Sequence, residues 1–115
     1  MDIEGAAKRV TLYIGECDRW DHKPLYEAIV ERLRAEGCAG ATVLRGMSGF
    51  GKHSRIHTAA ILDFSADLPV VVVFVDTPER VDRVLPMVEE MVDGGLVVVE
   101  DVTVAKYSHH EVSGR

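Results

Sequence analysis

An α+β domain with a split β-α-β plan is the fold class that this 115-residue sequence predicts. Two observations support it. The chain runs strand, helix, strand, then a glycine-rich loop, and then strand, helix, strand again, in two similar halves. Each predicted helix also carries a single apolar stripe, which suits packing on one face of a sheet. We divide the chain into an N-terminal tail (1–7), one domain (8–107) and a C-terminal tail (108–115).

The first half opens with a strand over 8–14, where apolar and polar residues alternate with period two. A polar connector, 15–22, follows it. The next helix is predicted over 23–36, because Pro24 is tolerated in a first turn and Gly37 is a natural C-cap. Its apolar stripe recurs every four residues: Leu25, Ile29 and Leu33. A short strand over 41–44 then leads into the central loop.

The second half begins with the run Val70–Val75, which is apolar throughout and typical of a strand at the centre of a sheet. Asp76 ends that strand. Thr77-Pro78-Glu79 then predicts a helix start, with an N-cap, a proline at the first position and an acid near the positive end of the dipole. Pro86 lies inside this helix and is expected to bend it or to leave one carbonyl without its hydrogen bond.

The last apolar stretch reads as two strand pieces, 96–99 and 102–105, which Glu100-Asp101 separates. The complete order is βαββαβ, the ferredoxin-like arrangement of an antiparallel four-stranded sheet with both helices on one face. Because the strands are this apolar, the sheet face opposite the helices would expose apolar side chains to water. A closed symmetric oligomer is the usual solution, so we expect further copies of the chain there.

Composition limits the function classes. A formal net charge of −6 disfavours binding to nucleic acids or to anionic membranes. The two cysteines, Cys17 and Cys38, show neither metal-ligand spacing nor a disulfide framework, which suits a reducing cytoplasm. The acidic start of the chain lacks the apolar region of a signal peptide, and no apolar run reaches membrane-spanning length. A cytoplasmic protein without membrane insertion is therefore predicted.

The central loop concentrates glycine and positive charge on an otherwise acidic chain. Its glycines are Gly46, Gly49 and Gly51, and its cations are Arg45, Lys52 and Arg55. Glycines permit positive φ and the close approach of another group. No acidic residue occurs between Arg45 and Leu62. The segment is therefore interpreted as an anion receptor or a partner-contacting loop, with a solvated surface loop as the alternative.

A nucleotide hydrolase is a weaker interpretation of the same loop. Gly46-x-x-x-x-Gly51-Lys52 fits the start of a phosphate-binding loop. The apolar strand that ends at Asp76 resembles the strand plus aspartate of a nucleotide hydrolase. However, His53 stands where Ser or Thr would hold magnesium, and no long amphipathic helix clearly follows Lys52. Asp76 is better explained as the polar residue between a buried strand and a helix start.

Two further groups of side chains are candidates for chemistry. His53 and His57 are four residues apart and would share a metal ion if the loop were helical, with His109-His110 as additional ligands. Solvated histidines are the commoner case, so no metal site is assigned. Cys17 lies between Glu16 and Asp18, which raise the pKa of a thiol and make it a poor nucleophile.

Seven short stretches of the chain carry a specific family pattern. They are Leu12-Tyr13-Ile14-Gly15-Glu16, Lys23-Pro24-Leu25-Tyr26-Glu27-Ala28-Ile29-Val30, Gly40-Ala41-Thr42-Val43-Leu44-Arg45-Gly46, Gly49-Phe50-Gly51, Ser54-Arg55-Ile56-His57-Thr58, Leu68-Pro69-Val70-Val71 and Glu100-Asp101-Val102. They resemble the PII-like family called domain of unknown function 190, and the match covers roughly 8–107. The resemblance implies a ferredoxin-like homotrimer related to the PII nitrogen-regulatory signal transducers. Those proteins are not enzymes; they bind effectors such as ATP or ADP between subunits.

The resemblance also assigns a role to the loop, which would correspond to 46–60 and would contact a protein partner. Gly49-Phe50-Gly51 resembles the Gly-Phe-Gly at the base of that loop in PII. Two departures stand out. The turn over 93–101 contains no lysine, whereas the PII turn that binds phosphates is rich in lysine, and this departure disfavours an ATP site. The loop also lacks the tyrosine that PII uridylylates.

These observations predict a non-enzymatic regulator that binds a small anionic effector, such as a nucleotide, at a cleft between subunits, without a resident cofactor. The proposed ligand-binding residues are Arg45, Gly46, Gly49, Phe50, Gly51, Lys52 and Arg55. Arg45 ends a strand, so its guanidinium is the best positioned, and Arg55 is expected to close over the ligand. Alternatively, Arg45 pairs with Glu100 or Asp101 of a neighbouring subunit. The rival function is an enzyme for a phosphorylated or carboxylated substrate, using Lys52, His53 or His57.

Overall fold

The computed structural model describes residues 3–50, 57–58 and 67–108. Its main sheet has four antiparallel strands in the order β2-β3-β1-β4 within these ranges. The elements in chain order are β1 (Gly5–Gly15), α1 (Leu25–Ala35), β2 (Thr42–Arg45), β3 (Pro69–Asp76), α2 (Pro78–Met91) and β4 (Leu96–Val104). The predicted α+β, ferredoxin-like βαββαβ fold is confirmed. Strand β1 begins at Gly5, three residues before the predicted strand start.

The core lies between the sheet and the two helices. Alternation along β1 buries Val10, Leu12 and Ile14, as predicted, and β3 adds Val70, Val72 and Phe74 from the same face. The helices contribute their predicted stripes: Leu25, Ala28, Ile29 and Leu33 from α1, and Val81, Val84, Val88 and Met91 from α2. Burial of these apolar side chains is the main stabilising term of the domain, at about 25 cal/mol per Å² of apolar surface.

The polar connector 15–22 contains a tight hairpin that the sequence did not predict. Arg19–Trp20 pairs with Lys23–Pro24. The two residues at its tip, Asp21 and His22, have φ of 48° and 69°. Asp and His tolerate this left-handed region better than most residues, and two positive φ values in succession form the turn type that suits a two-residue hairpin. Helix α1 therefore starts at Leu25, two residues later than predicted.

Strand β4 is continuous from Leu96 to Val104, so the prediction of two pieces broken at Glu100-Asp101 is wrong. Both acids face cations across the strand pair, because Glu100 lies opposite Arg9 and Asp101 opposite Lys8 in the register with β1. Arg9 donates to Glu100 at 3.0 and 3.1 Å, and this hydrogen bond lowers the pKa of the Glu100 carboxyl. The cross-strand Arg9–Glu100 pair thus supports the strand where sequence alone suggested a break, while Lys8 bonds to Asp82 of α2 at 3.1 Å.

Helix α2 starts as predicted and continues through its internal proline. The hydroxyl of Thr77 accepts a hydrogen bond from the Arg80 amide at 3.2 Å, with Pro78 in the first turn. Pro86 has no N–H, so the Asp82 carbonyl loses its partner within the helix. The helix nevertheless extends to Met91, since the buried residues Val84 and Val88 on either side of Pro86 pack into the core.

Asp76 ends β3 in a fully buried position. Its carboxylate accepts from the Ala39 amide at 2.9 Å, the Thr77 amide at 2.8 Å and the Arg80 guanidinium at 3.1 Å. These contacts join the segment after α1, the end of β3 and the first turn of α2. Asp76 is thus a structural junction, in agreement with the interpretation that it links a buried strand to a helix start.

The sheet face opposite the helices carries an apolar row across all four strands. Leu44, Val71, Tyr13 and Leu96 are successive partners in the strand register. Leu44 and Leu96 are each 56% exposed and Tyr13 is 45% exposed, whereas Val71 is half-buried. In the parts of the chain that the structure describes, no helix covers this surface, which we call the open face.

Candidate functional site

The glycine-rich loop starts at one end of the sheet, where β1 and β2 finish and β3 and β4 begin. We call this region the loop end; its described residues are 15–18, 45–50, 67–69 and 92–95. Ser48–Gly49 forms a two-residue antiparallel pair with His57–Thr58. This pairing brings the two sides of the loop together at the edge of the sheet. The predicted site residues Gly51, Lys52 and Arg55 lie outside the described residues.

Pro69 explains the first two glycines of the loop. The Gly46 amide donates to the Pro69 carbonyl at 2.6 Å. A Cβ placed on Gly46 would lie 2.6 Å from Pro69 Cγ, and one on Gly49 would lie 3.1 Å from the same atom. Neither glycine has positive φ, so of the two properties that glycine permits, left-handed backbone is not used at these two positions. Their role is the close approach of the loop base to Pro69.

Replacing Gly46 by alanine is expected to lower the free energy of unfolding by about 1–3 kcal/mol, because the added methyl overlaps Pro69 and its carbonyl. Urea unfolding followed by circular dichroism measures this change. Gly40→Ala is the matched control, since its Cβ would meet nothing within 4 Å. Equal stability of the two variants would contradict tight packing of the loop base.

Arg45 stands at the end of β2, as predicted, and pairs with Glu16 of its own chain. Its Nε lies 3.0 Å from Glu16 Oε2 and its Nη2 lies 3.1 Å from Glu16 Oε1, a bidentate arrangement. The Arg45 side chain is 62% exposed and the Glu16 side chain 29%. Sequence reasoning offered Glu100 or Asp101 of a neighbouring subunit as the acid for Arg45, but Glu100 is engaged by Arg9.

The acids near Arg45 are held by backbone donors. Asp18 accepts from the Gly15 amide at 2.9 Å, and Asp67 accepts from the Cys17 amide at 2.7 Å. The Glu16 amide donates to the Leu68 carbonyl at 2.8 Å. These bonds hold the segment after β1 against the segment before β3. The backbone that carries the Glu16 side chain is therefore fixed in position.

Cys17 is exposed within this acidic surrounding. Desolvation raises the pKa of its thiol, and the Asp67, Glu16 and Asp18 carboxylates raise it further. A raised pKa leaves little thiolate at neutral pH, which confirms the prediction that Cys17 is a poor nucleophile.

The turn between α2 and β4 completes the loop end. A Cβ on Gly95 would lie 2.7 Å from the Tyr13 carbonyl, so the turn packs directly on the end of β1. Asp93 precedes the two glycines and is exposed, and 93–101 contains no lysine. Among the described residues of the loop end, the cation is therefore Arg45, which pairs with Glu16, and Asp18, Asp67 and Asp93 are further acids of the same end.

The structure thus brings together four of the predicted ligand-binding residues: Arg45, Gly46, Gly49 and Phe50. Phe50 is 74% exposed and its neighbour Met47 is 77% exposed, so both are available to a partner rather than to the core. For the metal alternative, only the backbone pairing of His57 is described. His53 and His109-His110 lie outside the described residues. Within the described ranges no group of three potential metal ligands occurs.

Comparison with known proteins decides the family. The model of DUF190, an uncharacterized ACR, matches residues 7–104. The chain belongs to the DUF190 family. Its relatives include the UPF0166 protein of Methanocaldococcus jannaschii, 34% identical over 106 residues that cover 91% of this chain and 97% of that protein. A UPF0166 protein of Aquifex aeolicus is 33% identical over 97 residues, covering 84% and 91%.

Solved structures show the wider fold relationship of this DUF190 chain. It is similar to CPII, a nitrogen regulatory PII-like protein from Thiomonas intermedia K12, bound to ADP, AMP and bicarbonate. The TM-score is 0.67 at 20% identity, covering 88% of this chain and 90% of CPII. A structure of CPII bound to ADP, AMP and acetate gives a TM-score of 0.63 at 18% identity, covering 89% and 91%. At this identity the likeness establishes a PII-like fold.

Sequence reasoning missed Glu16 and Asp67 as residues of the loop end. Glu16 and Arg45 are 29 positions apart, and Cys17 and Asp67 are 50 apart. No local spacing signals such pairs, although Glu16 belongs to one of the stretches that resemble the family.

Among the described residues, neither helix is long and apolar enough to cross a bilayer.

Proposed function

We propose that this DUF190 protein is a PII-like regulatory module rather than an enzyme. It assembles as a homotrimer, binds a small anionic effector at the loop end in a cleft shared between subunits, and contacts a protein partner through the loop 46–60. The observation that carries this proposal is the position of the loop. It stands on a short strand pair directly beside Arg45 and next to the open face.

The open face supports the oligomeric part of the proposal. Its central row of Leu44, Val71, Tyr13 and Leu96 is apolar and substantially solvent-exposed in one copy. Symmetric association would remove this row from water. The same association would place the loop end of one subunit beside a neighbour, where a ligand would touch both copies.

The chemistry of the loop end supports a small anion over a polyphosphate. Arg45 is a forked donor that matches carboxylate or phosphate oxygens. CPII is bound to ADP, AMP and bicarbonate, and these ligands are therefore the first ones to test here. The turn over 93–101 begins with Asp93 and has no lysine; where a neighbouring subunit brings this turn to the shared cleft, it would repel several phosphate charges at once, so a ligand with one anionic group is favoured.

The enzyme alternative receives less support from the described acids. Asp18 and Asp67 accept hydrogen bonds from backbone amides, and Glu16 is held in the fork of Arg45. Each carboxylate thus has a structural partner. A general acid–base pair would instead need a carboxylate or imidazole directed at a substrate position.

A ligand screen by thermal shift tests this proposal, using ADP, AMP, bicarbonate and common carboxylates. A specific binder at 100 times its dissociation constant adds about 2.7 kcal/mol to the stability of the folded protein. Arg45→Ala is expected to remove that stabilisation, whereas Arg34→Ala, an exposed arginine on α1, is expected to keep it. Turnover of any ligand, or the same stabilisation of Arg45→Ala and wild type, would contradict the proposal.

A further inference from the structure

The fork of Arg45 is already filled by a carboxylate of the same chain. Glu16 contributes both oxygens, at 3.0 and 3.1 Å from Nε and Nη2. We infer that Glu16 is a built-in competitor of the effector, and that the ligand which displaces it is a small planar carboxylate. This inference rests on the proposed anion site at Arg45 and adds the regulation and the ligand class of that site.

The geometry of the pair indicates the ligand class. The Nε–Nη2 edge of a guanidinium presents two nearly parallel N–H bonds, and Glu16 fills both with one flat O–C–O group. A ligand that replaces Glu16 without moving Arg45 must offer the same two coplanar oxygens. Phosphate also offers two oxygens to such a fork, but a carboxylate repeats the flat O–C–O group that Glu16 already places there.

The surroundings explain why displacement is required. Gly46 is one of the predicted ligand-binding residues, but its amide is bonded to the Pro69 carbonyl. Asp18 and Asp67 lie on the segments next to Glu16 and disfavour a further negative charge while Glu16 is in place. A carboxylate ligand that enters the fork takes the place of the Glu16 carboxylate. The net charge around Arg45 stays the same only if the Glu16 side chain turns out into solvent.

The exposure of the two partners makes that movement feasible. The Glu16 side chain is 29% exposed and Arg45 is 62% exposed, so the pair lies at the surface. Exposed ion pairs contribute little to stability. Breaking the pair therefore weakens the affinity for the ligand by at most about fivefold. The Glu16 backbone remains fixed through its amide bond to the Leu68 carbonyl. Ligand binding therefore frees a side chain next to the loop base without unfolding β1.

The test compares acetate and inorganic phosphate as probes in amide NMR titrations of the full chain. Glu16→Gln is expected to bind acetate about fivefold more tightly than wild type, because the neutral amide competes less for the fork. Glu31→Gln is the matched control: it also removes one exposed acid, one that pairs with Lys23 at 3.1 Å, and its acetate affinity is expected to equal that of wild type. Acetate is expected to shift the Glu16 amide resonance, and phosphate to bind more weakly.

The outcomes separate this inference from the proposed function. Tighter acetate binding by Glu16→Gln, with loss of binding in Arg45→Ala, supports the competitor role. If wild type binds acetate and Glu16→Gln binds it equally or more weakly, the competitor role of Glu16 is overturned, but the anion site is not. A preference for phosphate in both proteins overturns the ligand class. Absence of binding to any effector in wild type and in Glu16→Gln overturns the inference and the anion site together.

Discussion

Replacing Asp76 by alanine is expected to lower the free energy of unfolding by about 3 kcal/mol, a large fraction of the stability of a small domain. The carboxylate is fully buried and accepts hydrogen bonds from the Ala39 and Thr77 amides. Alanine leaves both part-buried N–H groups without their acceptor and removes the anion that Arg80 contacts at 3.1 Å. Loss of one partner from a buried pair is costly because the remaining groups stay desolvated.

Urea denaturation with a fitted slope measures this loss. Asp76→Asn is expected to fall between wild type and Asp76→Ala, because its amide keeps one acceptor oxygen for the two backbone donors. Asp82→Ala is the control: it removes an acid whose side chain is 62% exposed, together with its ion pair to Lys8, and is expected to change stability by less than about 1 kcal/mol. Similar losses for Asp76→Ala and Asp82→Ala would show that the junction at Asp76 is not a major support of the fold.

Asp76 also shows how far the sequence predicts this fold. The apolar run before it and the Thr-Pro-Glu signal after it predicted a buried strand and a helix start, and both are confirmed. These signals are local, since period and capping depend on neighbouring residues. The bond from Ala39 to Asp76 joins positions 37 apart and has no such local signal.

The errors at β4 and in the connector have the same physical origin. Glu100 looked like a strand breaker because its partner Arg9 is 91 positions away. The hairpin tip at Asp21-His22 lacks the glycine that usually marks such a turn, so composition gave no hint of its two positive φ values.

The candidate site was predictable only in part. Arg45 at the end of β2 followed from the strand pattern, and the glycines of the loop were visible in the sequence. The structural reason for Gly46 and Gly49 was not visible, because it is the approach of Pro69, a residue of the next strand. The pairing of Arg45 with Glu16 likewise requires that β1 and β2 end at the same side of the sheet, which is a property of the topology.

Tyr13→Glu is expected to convert the proposed trimer into a monomer at micromolar concentration. Tyr13 lies in β1, between Val71 and Leu96 in the exposed apolar row. Its side chain is 45% exposed in one copy, so glutamate remains hydrated in the isolated chain. In an assembly that covers the open face, the same carboxylate would be buried without a cation, at a cost of several kcal/mol in each subunit.

Light scattering coupled to gel filtration measures the mass of both proteins, and circular dichroism verifies that the variant is folded. Trp20→Glu is the matched control, because it also replaces an exposed aromatic residue, 38% accessible, but in the hairpin outside the main sheet. Wild type and Trp20→Glu are expected to have three times the mass of Tyr13→Glu. A wild-type monomer contradicts the proposed trimer, and a trimer that survives Tyr13→Glu shows that the subunits associate through a surface other than the open face.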